Sequence, residues 1–547
     1  MATFFSKDGE ATTTINRFDG GVAVDPRDPR DNVARVISNF DVLTSPKKMT
    51  PHRDSESGDS APTTSRKQNF CIALFDGGTS PDTYTVYALG VVSGQTYAEI
   101  LYKKLTRNST EDLTDNLWIA TVNNQSGSGT PNFNLFVFYR KTGYIYGARN
   151  GSHIFRYDPD GTDAWADTHR VLTYTRIGQG VVHSKDDILY IPCYEETNAN
   201  GYTSFIAKND NATWTNNALV LPVHYIPTSI CEYGDYLAIG CADANGLGNS
   251  RVFLWDRNSS LVDIDESIDW GTGSLMILEE IDGELVGISQ RGGTSTSFAG
   301  LPTQTTAHKD RVIFRKLVGN KAVKIMELRA DQTDDSNYTR LPAYKQKVDN
   351  RLYFQMLIGL NGSVRDGVWS IGKNANGEWT LIHERTSNNN TALDDNADSL
   401  TGFIVVGDYI FQSYLVGGST YTLTKSNDTG SWTANSIYES KIFDLGDSST
   451  YKDLMEVTVT NEYLPAAGEV AMAYQVDENI GTTTWTTIFT NSTNNSVGHS
   501  AMNIESTGAQ LPKSYRQISF RIISTGNAEI TGFSFKEKII GKKYIAD

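Results

Sequence analysis

The residues of this 547-residue chain best equipped for chemistry are acidic pairs and a run of arginines. The pairs are Asp263 with Asp265, Asp334 with Asp335, and Asp394 with Asp395; the arginines are Arg311, Arg315, Arg329, Arg340 and Arg351. Two converging carboxylates hydrolyse glycosidic bonds, one as acid and one as nucleophile or base. Grouped guanidiniums grip a substrate carboxylate in bidentate fashion. Each acidic pair, however, lies among Asn, Ser and Thr in loop-like surroundings, where carboxylates are normally solvated, and no spacing selects three of the five arginines. Asp158-Pro-Asp-Gly-Thr-Asp163 offers clustered oxygens to a hard cation, but its Gly stands fourth where a calcium loop of the EF-hand type needs it sixth. It reads as a turn. The eight histidines, His153, His183, His224 and His383 among them, are scattered without a close pair. Nucleophile-elbow, phosphate-loop and dinucleotide signatures are absent from the sequence. The expectation is a protein that is not an enzyme, with no catalytic residue, no metal and no cofactor.

Bulk properties narrow the class further. A formal net charge of -16 argues against coating nucleic acid, because phosphate binding needs clustered Lys and Arg, although it does not bar contact with passing DNA. No stable sequence-specific nucleic-acid binding is expected. The four cysteines, Cys71, Cys193, Cys231 and Cys241, lack the two-residue spacing of a zinc or redox pair. Cys231 and Cys241 flank one hairpin pattern and are expected to be buried free thiols. The opening Met1-Ala-Thr-Phe-Phe-Ser-Lys-Asp-Gly-Glu10 lacks the basic-then-apolar order of a secretion signal, and no apolar run reaches membrane-spanning length. Assembly in a reducing cytoplasm, with no membrane span, is the expectation.

The elements that must position any site are strands. Apolar residues make up 39% and aromatics 11%, with 47 Gly and abundant Asn-Gly and Asp-Gly pairs, and apolar spacing of three and four never persists. From 438 to 547, alternating segments such as Tyr451-Lys-Asp-Leu-Met-Glu-Val-Thr-Val459 and Tyr515-Arg-Gln-Ile-Ser-Phe-Arg-Ile-Ile523 predict a β-sandwich, since one apolar row per strand needs a second sheet to cover it. From 66 to 437 the theme "apolar, turn of Gly, Asp or Asn, apolar" recurs. It is seen in Val182–Ile191, Ile230–Ile239, Ile277–Ile288, Tyr344–Phe354 and Phe403–Phe411. These are the inner hairpins of a β-propeller, and the length suggests about six to eight blades, with seven favoured. Ser426-Asn-Asp-Thr-Gly-Ser-Trp432 approaches the sialidase Asp-box but lacks its Thr; that motif stabilises a peripheral blade turn and is not catalytic. Residues 1–65, dense in Pro and charge, read as an extended N-terminal arm. Its apolar anchors need a place to dock, on the chain's own body or on a neighbouring subunit. Phe18, Val36, Phe40, Val42, Leu43 and Pro46 form the candidate assembly interface.

The order arm, irregular propeller, terminal sandwich resembles the tail nozzle or tail hub proteins of bacteriophages. The residues carrying the likeness are Ser38-Asn-Phe-Asp-Val-Leu-Thr-Ser-Pro-Lys-Lys48 near the start and, near the end, Asp444-Leu-Gly, Met455-Glu-Val-Thr-Val, Ala473-Tyr-Gln-Val-Asp, Ile518-Ser-Phe-Arg-Ile-Ile and Ala528-Glu-Ile-Thr-Gly-Phe-Ser-Phe535. The likeness covers both ends by residues and the middle by architecture only. It implies a structural protein of the virion tail, assembled in the host cytoplasm. Such proteins form a homo-oligomeric, hexameric ring that touches adaptor, portal-side ring and fibres and lets genomic DNA pass during ejection. A baseplate or tail-tip station shares every one of these features. The alternative is a propeller that binds glycan or receptor, or a glycosidase. It is motivated by Trp165, Trp214, Trp270 and Trp432, since sugars stack on exposed rings.

Overall fold

The structure is a computed structural model. It describes residues 2–5, 9–22, 27, 30, 32–43, 45, 47–52, 55–57, 64–75, 83–92, 98–106, 119–123, 131–149, 153–159, 165–172, 176–197, 201–211, 213–243, 249–258, 264–291, 311–329, 339–340, 344–360, 363–386, 399–407, 409–416, 420–426, 435–444, 448–482, 484–502 and 511–542. Among them the fold is all-β, and the one helical element named here is a single 3-10 turn at Asp477–Asn479. The chain divides into two compact units. One comprises 56–359 and 395–428; the other gathers 1–55, 360–394 and 429–547. These boundaries differ from the arm, propeller and sandwich expected at 1–65, 66–437 and 438–547, because the two ends of the chain fold together.

Among the described residues the unit of 56–359 and 395–428 is a propeller of seven sets of antiparallel strands. The first five sheets run in chain order. They are Thr64–Phe75 to Ile119–Asn123, Pro131–Tyr139 to Trp165–Val171, Arg176–Ile177 to Thr213–Val220, Tyr225–Tyr233 to Glu266–Thr272, and Ser274–Ile281 to Lys321–Arg329. In the sixth, Thr339–Arg340 and Lys345–Val348 both pair with Arg351–Leu360. The seventh is Ser399–Val406, Tyr409–Val416 and Thr420–Ser426, with the short Ser55–Ser57 at its outer edge. Each sheet's innermost strand touches that of the next, and Ser399–Val406 returns to Thr64–Phe75, so the ring closes.

The inner hairpins read from the sequence are present residue for residue. Tyr233 pairs with Tyr236, Ile281 with Glu284, Val348 with Arg351 and Val406 with Tyr409, leaving two-residue turns between them. The first turn residue has positive φ in every case: Gly234 at 60°, Asp282 at 53°, Asp349 at 51° and Gly407 at 57°. Such turns match the right-handed strand twist, and Gly, Asn and Asp tolerate that conformation best. Apolar rows on facing sheets fuse into cores between blades. Between the second and third sheets they include Leu135, Tyr146, Ile154, Leu189, Ile191 and Phe205; between the third and fourth, Tyr190 meets Trp255 edge-on at 5.8 Å.

The other unit is a β-sandwich. One sheet orders Ala2–Phe5, Glu10–Ile15, Ile530–Lys542, Thr450–Asn461 and Gly498–Met502. The second runs Ser363–Lys373, Trp379–Thr386, Ala34–Ser38, Ser436–Ser440, Ile518–Thr525, Glu469–Val476 and Thr486–Asn491. Between them Phe443, Phe520, Phe533 and Phe535 form a ring cluster, and Tyr438 links Phe533 to Phe18. The N-terminal segment is therefore not an extended arm. Its strand Glu10–Ile15 pairs with Phe533–Lys538, and every residue of Ala34–Ser38 is buried.

This overturns the assembly-interface reading of its anchors. Phe18, Val36, Phe40 and Val42 are buried in the chain's own core, Leu43 is half-buried, and Pro46 lies outside the described residues. An apolar side chain already covered on all sides has no face left for another subunit. Prolines and charges suggested an arm, yet Glu10–Ile15 and Ala34–Ser38 are paired strands of the sandwich. A Phe18→Ala substitution is expected to destabilise the sandwich by about 3–5 kcal/mol, the usual cost of emptying a buried aromatic site. Thermal denaturation would show a marked fall in melting temperature, whereas Tyr463→Ala, at a residue 74% exposed, is expected to change it little.

Candidate functional site

The middle of a propeller, where the innermost strands converge, is the natural place for a site, and here it holds a lysine. Lys345 opens the strand Lys345–Val348 of the sixth sheet and is 7% exposed. Its Nζ lies 2.7 Å from Glu279 Oε2, donates to the Ile230 carbonyl at 2.9 Å and also donates to the Leu278 carbonyl. The Lys345 carbonyl in turn accepts from Gln179 Nε2 at 3.1 Å. Next to it the Gln346 amide pairs with Val405 as a backbone would, donating to its carbonyl at 2.8 Å and accepting from its N–H at 2.6 Å. The third, fourth, fifth and seventh sheets are thus all tied to the sixth. Lys347 pairs with Glu280 in the same way, nearer solvent. A buried lysine with a carboxylate and two carbonyls around its Nζ has its three donors occupied and none left for a ligand.

A second cluster, in the sandwich, looks on paper like a nucleophile and its base. Ser38 Oγ lies 2.8 Å from His383 Nδ1 across the one parallel bridge between their strands, and Arg365 donates to the same Oγ at 3.1 Å. The imidazole stacks on Trp369 with centroids 4.5 Å apart. Burial, and secondarily the Arg365 charge, pushes the His383 pKa down to about 3, so the ring is neutral at all ordinary pH. Both Ser38 and His383 are fully buried. No scissile carbonyl can reach the hydroxyl, and the pair acts as a weld between strands. Gly367 shows how close the packing is: a Cβ there would sit 1.9 Å from the Arg385 carbonyl oxygen and 2.8 Å from His383 Nε2. One bond further along, Glu384 accepts from Ser370 Oγ and meets His52 Nε2 at 3.1 Å.

A third buried group titrates. Glu537 Oε1 accepts from the Tyr515 hydroxyl at 2.6 Å inside the sandwich. Burial raises its pKa from 4.5 to about 7, against the opposing pull of Tyr515 and Lys452, with Asp444 adding a smaller upward push.

The residues singled out from the sequence are dispersed. Arg311 and Arg329 do converge, but on Glu327, each at 3.0 Å. Arg315 is buried and donates to the Thr272 carbonyl, Arg351 donates weakly to the Tyr353 hydroxyl at 3.4 Å, and the Arg340 side chain lies outside the described residues. Asp265 caps the Asp256 N–H; Asp263, Asp334, Asp335, Asp394, Asp395, most of the 158–163 turn and the 427–432 part of the Asp-box-like segment lie outside the described residues. Cys231 and Cys241 are buried free thiols as expected, facing Ala238 and Pro227 rather than each other across the hairpin, and burial pushes both thiols well up. His183 is buried against the Tyr236 carbonyl, while His224 is exposed. Trp270 is core, Trp214 is half-buried, and the Trp165 side chain and Trp432 lie outside the described residues. Sequence reasoning missed Lys345, Ser38 with His383, and Glu537. Each owes its role to partners far away in the chain, and Lys345 in Tyr344-Lys-Gln-Lys-Val348 looks like any solvated strand lysine.

No family model and no curated protein sequence matches the chain. Among solved structures it is similar to the Trypanosoma rangeli sialidase in complex with sialic acid, at a TM-score of 0.32 and 10% identity over 94% of this chain and 96% of that one. It is also similar to the β-propeller domain of the Trilobed protease from Pyrococcus furiosus, described as having an open velcro topology, at a TM-score of 0.37 and 10% identity over 67% of this chain and 96% of that one. Scores this low carry no inference about activity, and the blade count rests on the strand pairing alone.

Lys345→Ala should cost about 3–5 kcal/mol, because it strands Glu279 in a half-dry site. Adding Glu279→Gln is expected to restore part of that loss in a double-mutant denaturation cycle; strict additivity would refute the pairing. Glu537 makes the sandwich pH-dependent. With a folded pKa above the unfolded one, its contribution is complete below about pH 4.5 and lost as pH rises through about 7, for a total on the order of 3 kcal/mol. Melting curves of Glu537→Gln and the parent should therefore diverge in the variant's favour near pH 8 and not near pH 5.

Proposed function

We propose that the protein is a non-enzymatic structural component of a bacteriophage tail that assembles into a ring of like subunits, as a nozzle or hub does. The observation carrying this reading is that the polar groups best suited to chemistry are closed off by partners within the chain. Lys345 has Glu279, Ser38 has His383 and Arg365, and Arg311 and Arg329 share Glu327. They act as rivets, each within its own unit. The weaving of the N-terminal segment into the C-terminal sandwich supports the same reading, since it makes one firm block of the chain's two ends. Side-chain bridges from Gln179 to Lys345 and from Lys345 to Ile230 cross the middle of the propeller. Any DNA passage would therefore run between subunits, and a ring of them is what the reading requires.

The subunit joint moves from the anchors of the N-terminal segment to surfaces that remain exposed. Mass photometry of the purified chain and electron cryo-microscopy of intact particles test the proposal together. A closed ring coaxial with the DNA path is expected. A chain that stays monomeric and is absent from virions would sink it.

A second reading, glycan or receptor binding by the propeller at a tail tip or baseplate, is favoured by one observation. Trp214, His169 and Tyr146 form an aromatic group that is only partly covered.

A further inference from the structure

The aromatic group joins the second and third propeller sheets: His169 and Trp214 stand on their outermost strands and Tyr146 on the second strand of the second sheet. Tyr146 meets His169 and Trp214 at 5.8 Å each, and His169 meets Trp214 at 6.0 Å. Tyr146 is buried beneath, while His169 and Trp214 are half-buried above it. Two arginines complete the cleft. Arg156, opposite Tyr146 in the sheet, lays its guanidinium 4.3 Å above the ring of Tyr144. Arg170 donates to Asn216 Oδ1 at 2.9 Å across the two sheets, and its Nε is buried with no hydrogen-bond partner.

These cations are unlike their neighbours. In this acidic unit Lys141 pairs with Asp210, Arg257 with Asp186, Lys316 with Glu284, Lys345 with Glu279 and Lys347 with Glu280. Arg156 and Arg170, by contrast, contact an aromatic face and a neutral amide, with no carboxylate paired to either among the described residues. Both charges act on His169, whose pKa is lowered first by burial and then by Arg156 and Arg170. Among the described residues the two arginines and the aromatic group thus lie together, both charges within reach of His169, on a chain of net charge -16.

We infer that this cleft is a binding site for an acidic sugar, a pyranose bearing a carboxylate. The C–H face of the ring would stack on the indole of Trp214, and the carboxylate would meet the guanidiniums of Arg170 and Arg156 at their solvent-facing ends, the bidentate match for which guanidinium is built. A neutral sugar has no charge to offer the two guanidiniums, neither of which has a carboxylate paired to it among the described residues. A nucleic-acid strand offers both stacking and anions, but it brings one charge per nucleotide against a strongly acidic surface, whereas a glycuronide brings an isolated one. The site rests on the glycan-binding reading and is independent of ring assembly.

The test uses the full chain and three probes: methyl β-D-glucuronide, methyl β-D-glucoside and a short oligothymidylate, titrated by saturation-transfer NMR. Glucuronide binding in the millimolar range, about tenfold or more tighter than glucoside, is expected from one charge-assisted contact. Arg170→Gln and Trp214→Ala should each weaken it about tenfold or more while the oligomeric mass stays that of the parent. Should either variant lose its fold by circular dichroism, Arg156→Gln serves in its place. No glucuronide binding, equal binding of both sugars, tighter binding of the oligothymidylate, or binding unchanged in the folded variants would each overturn the site. A ring that forms without binding glucuronide would leave the structural reading standing and remove only this one.

Discussion

The insertion of Ala34–Ser38 between Trp379–Thr386 and Ser436–Ser440 is the contact on which the sandwich depends. A strand in the middle of a sheet has both backbone edges paired, and this one is buried on both faces as well, down to the last residue. Without it the sheet would present two raw edges, which invite pairing with other chains. Around this strand the N-terminal segment threads repeatedly. Val22 donates to Leu381, Met49 and Ile530 exchange backbone hydrogen bonds, and the Thr380 hydroxyl donates to the Asp19 carbonyl. The sheet is therefore built from three separate stretches of sequence. Each supplies what the others lack.

Polar groups buried at such junctions are kept because they are satisfied, and they fix one arrangement against near alternatives. Ser38, His383 and Arg365 set the register of the parallel bridge, since a one-residue slip would turn the hydroxyl to the opposite face. Glu439, between Arg521 at 3.0 Å and Arg35 at 3.9 Å, does the same two strands away. Lys345 is the propeller's counterpart. Interblade packing by Leu, Ile and aromatic rows is non-directional and tolerates small rotations of one blade against the next. The Lys345 and Gln346 bonds are directional and hold adjacent sheets in one rotation.

Much of this was legible in the sequence and some could not have been. The inner hairpins were, because a two-residue Gly or Asp turn between alternating runs is a local signal, complete within about ten residues. So was the need for a C-terminal sandwich, from Val457, Val459, Ile518, Phe520 and Ile522 alternating with polar neighbours. The anchors Phe18, Val36 and Phe40 were rightly seen as residues that must be covered. What covers Phe18 was not visible, since its partner Tyr438 lies some 400 positions away.

The sequence by itself determined the class of structure, through period-two alternation and turn chemistry, and the absence of catalytic signatures, through residue spacing. Only the tertiary structure decided where the ends of the chain go and which polar residues are buried and paired. It also set Arg170 of one blade against Asn216 of the next, and His169 against Trp214. The division has one physical cause. Strand and turn preferences are set by each residue's own backbone and nearest neighbours, whereas burial, pairing and pKa depend on which distant surfaces a side chain meets, and topology alone supplies those.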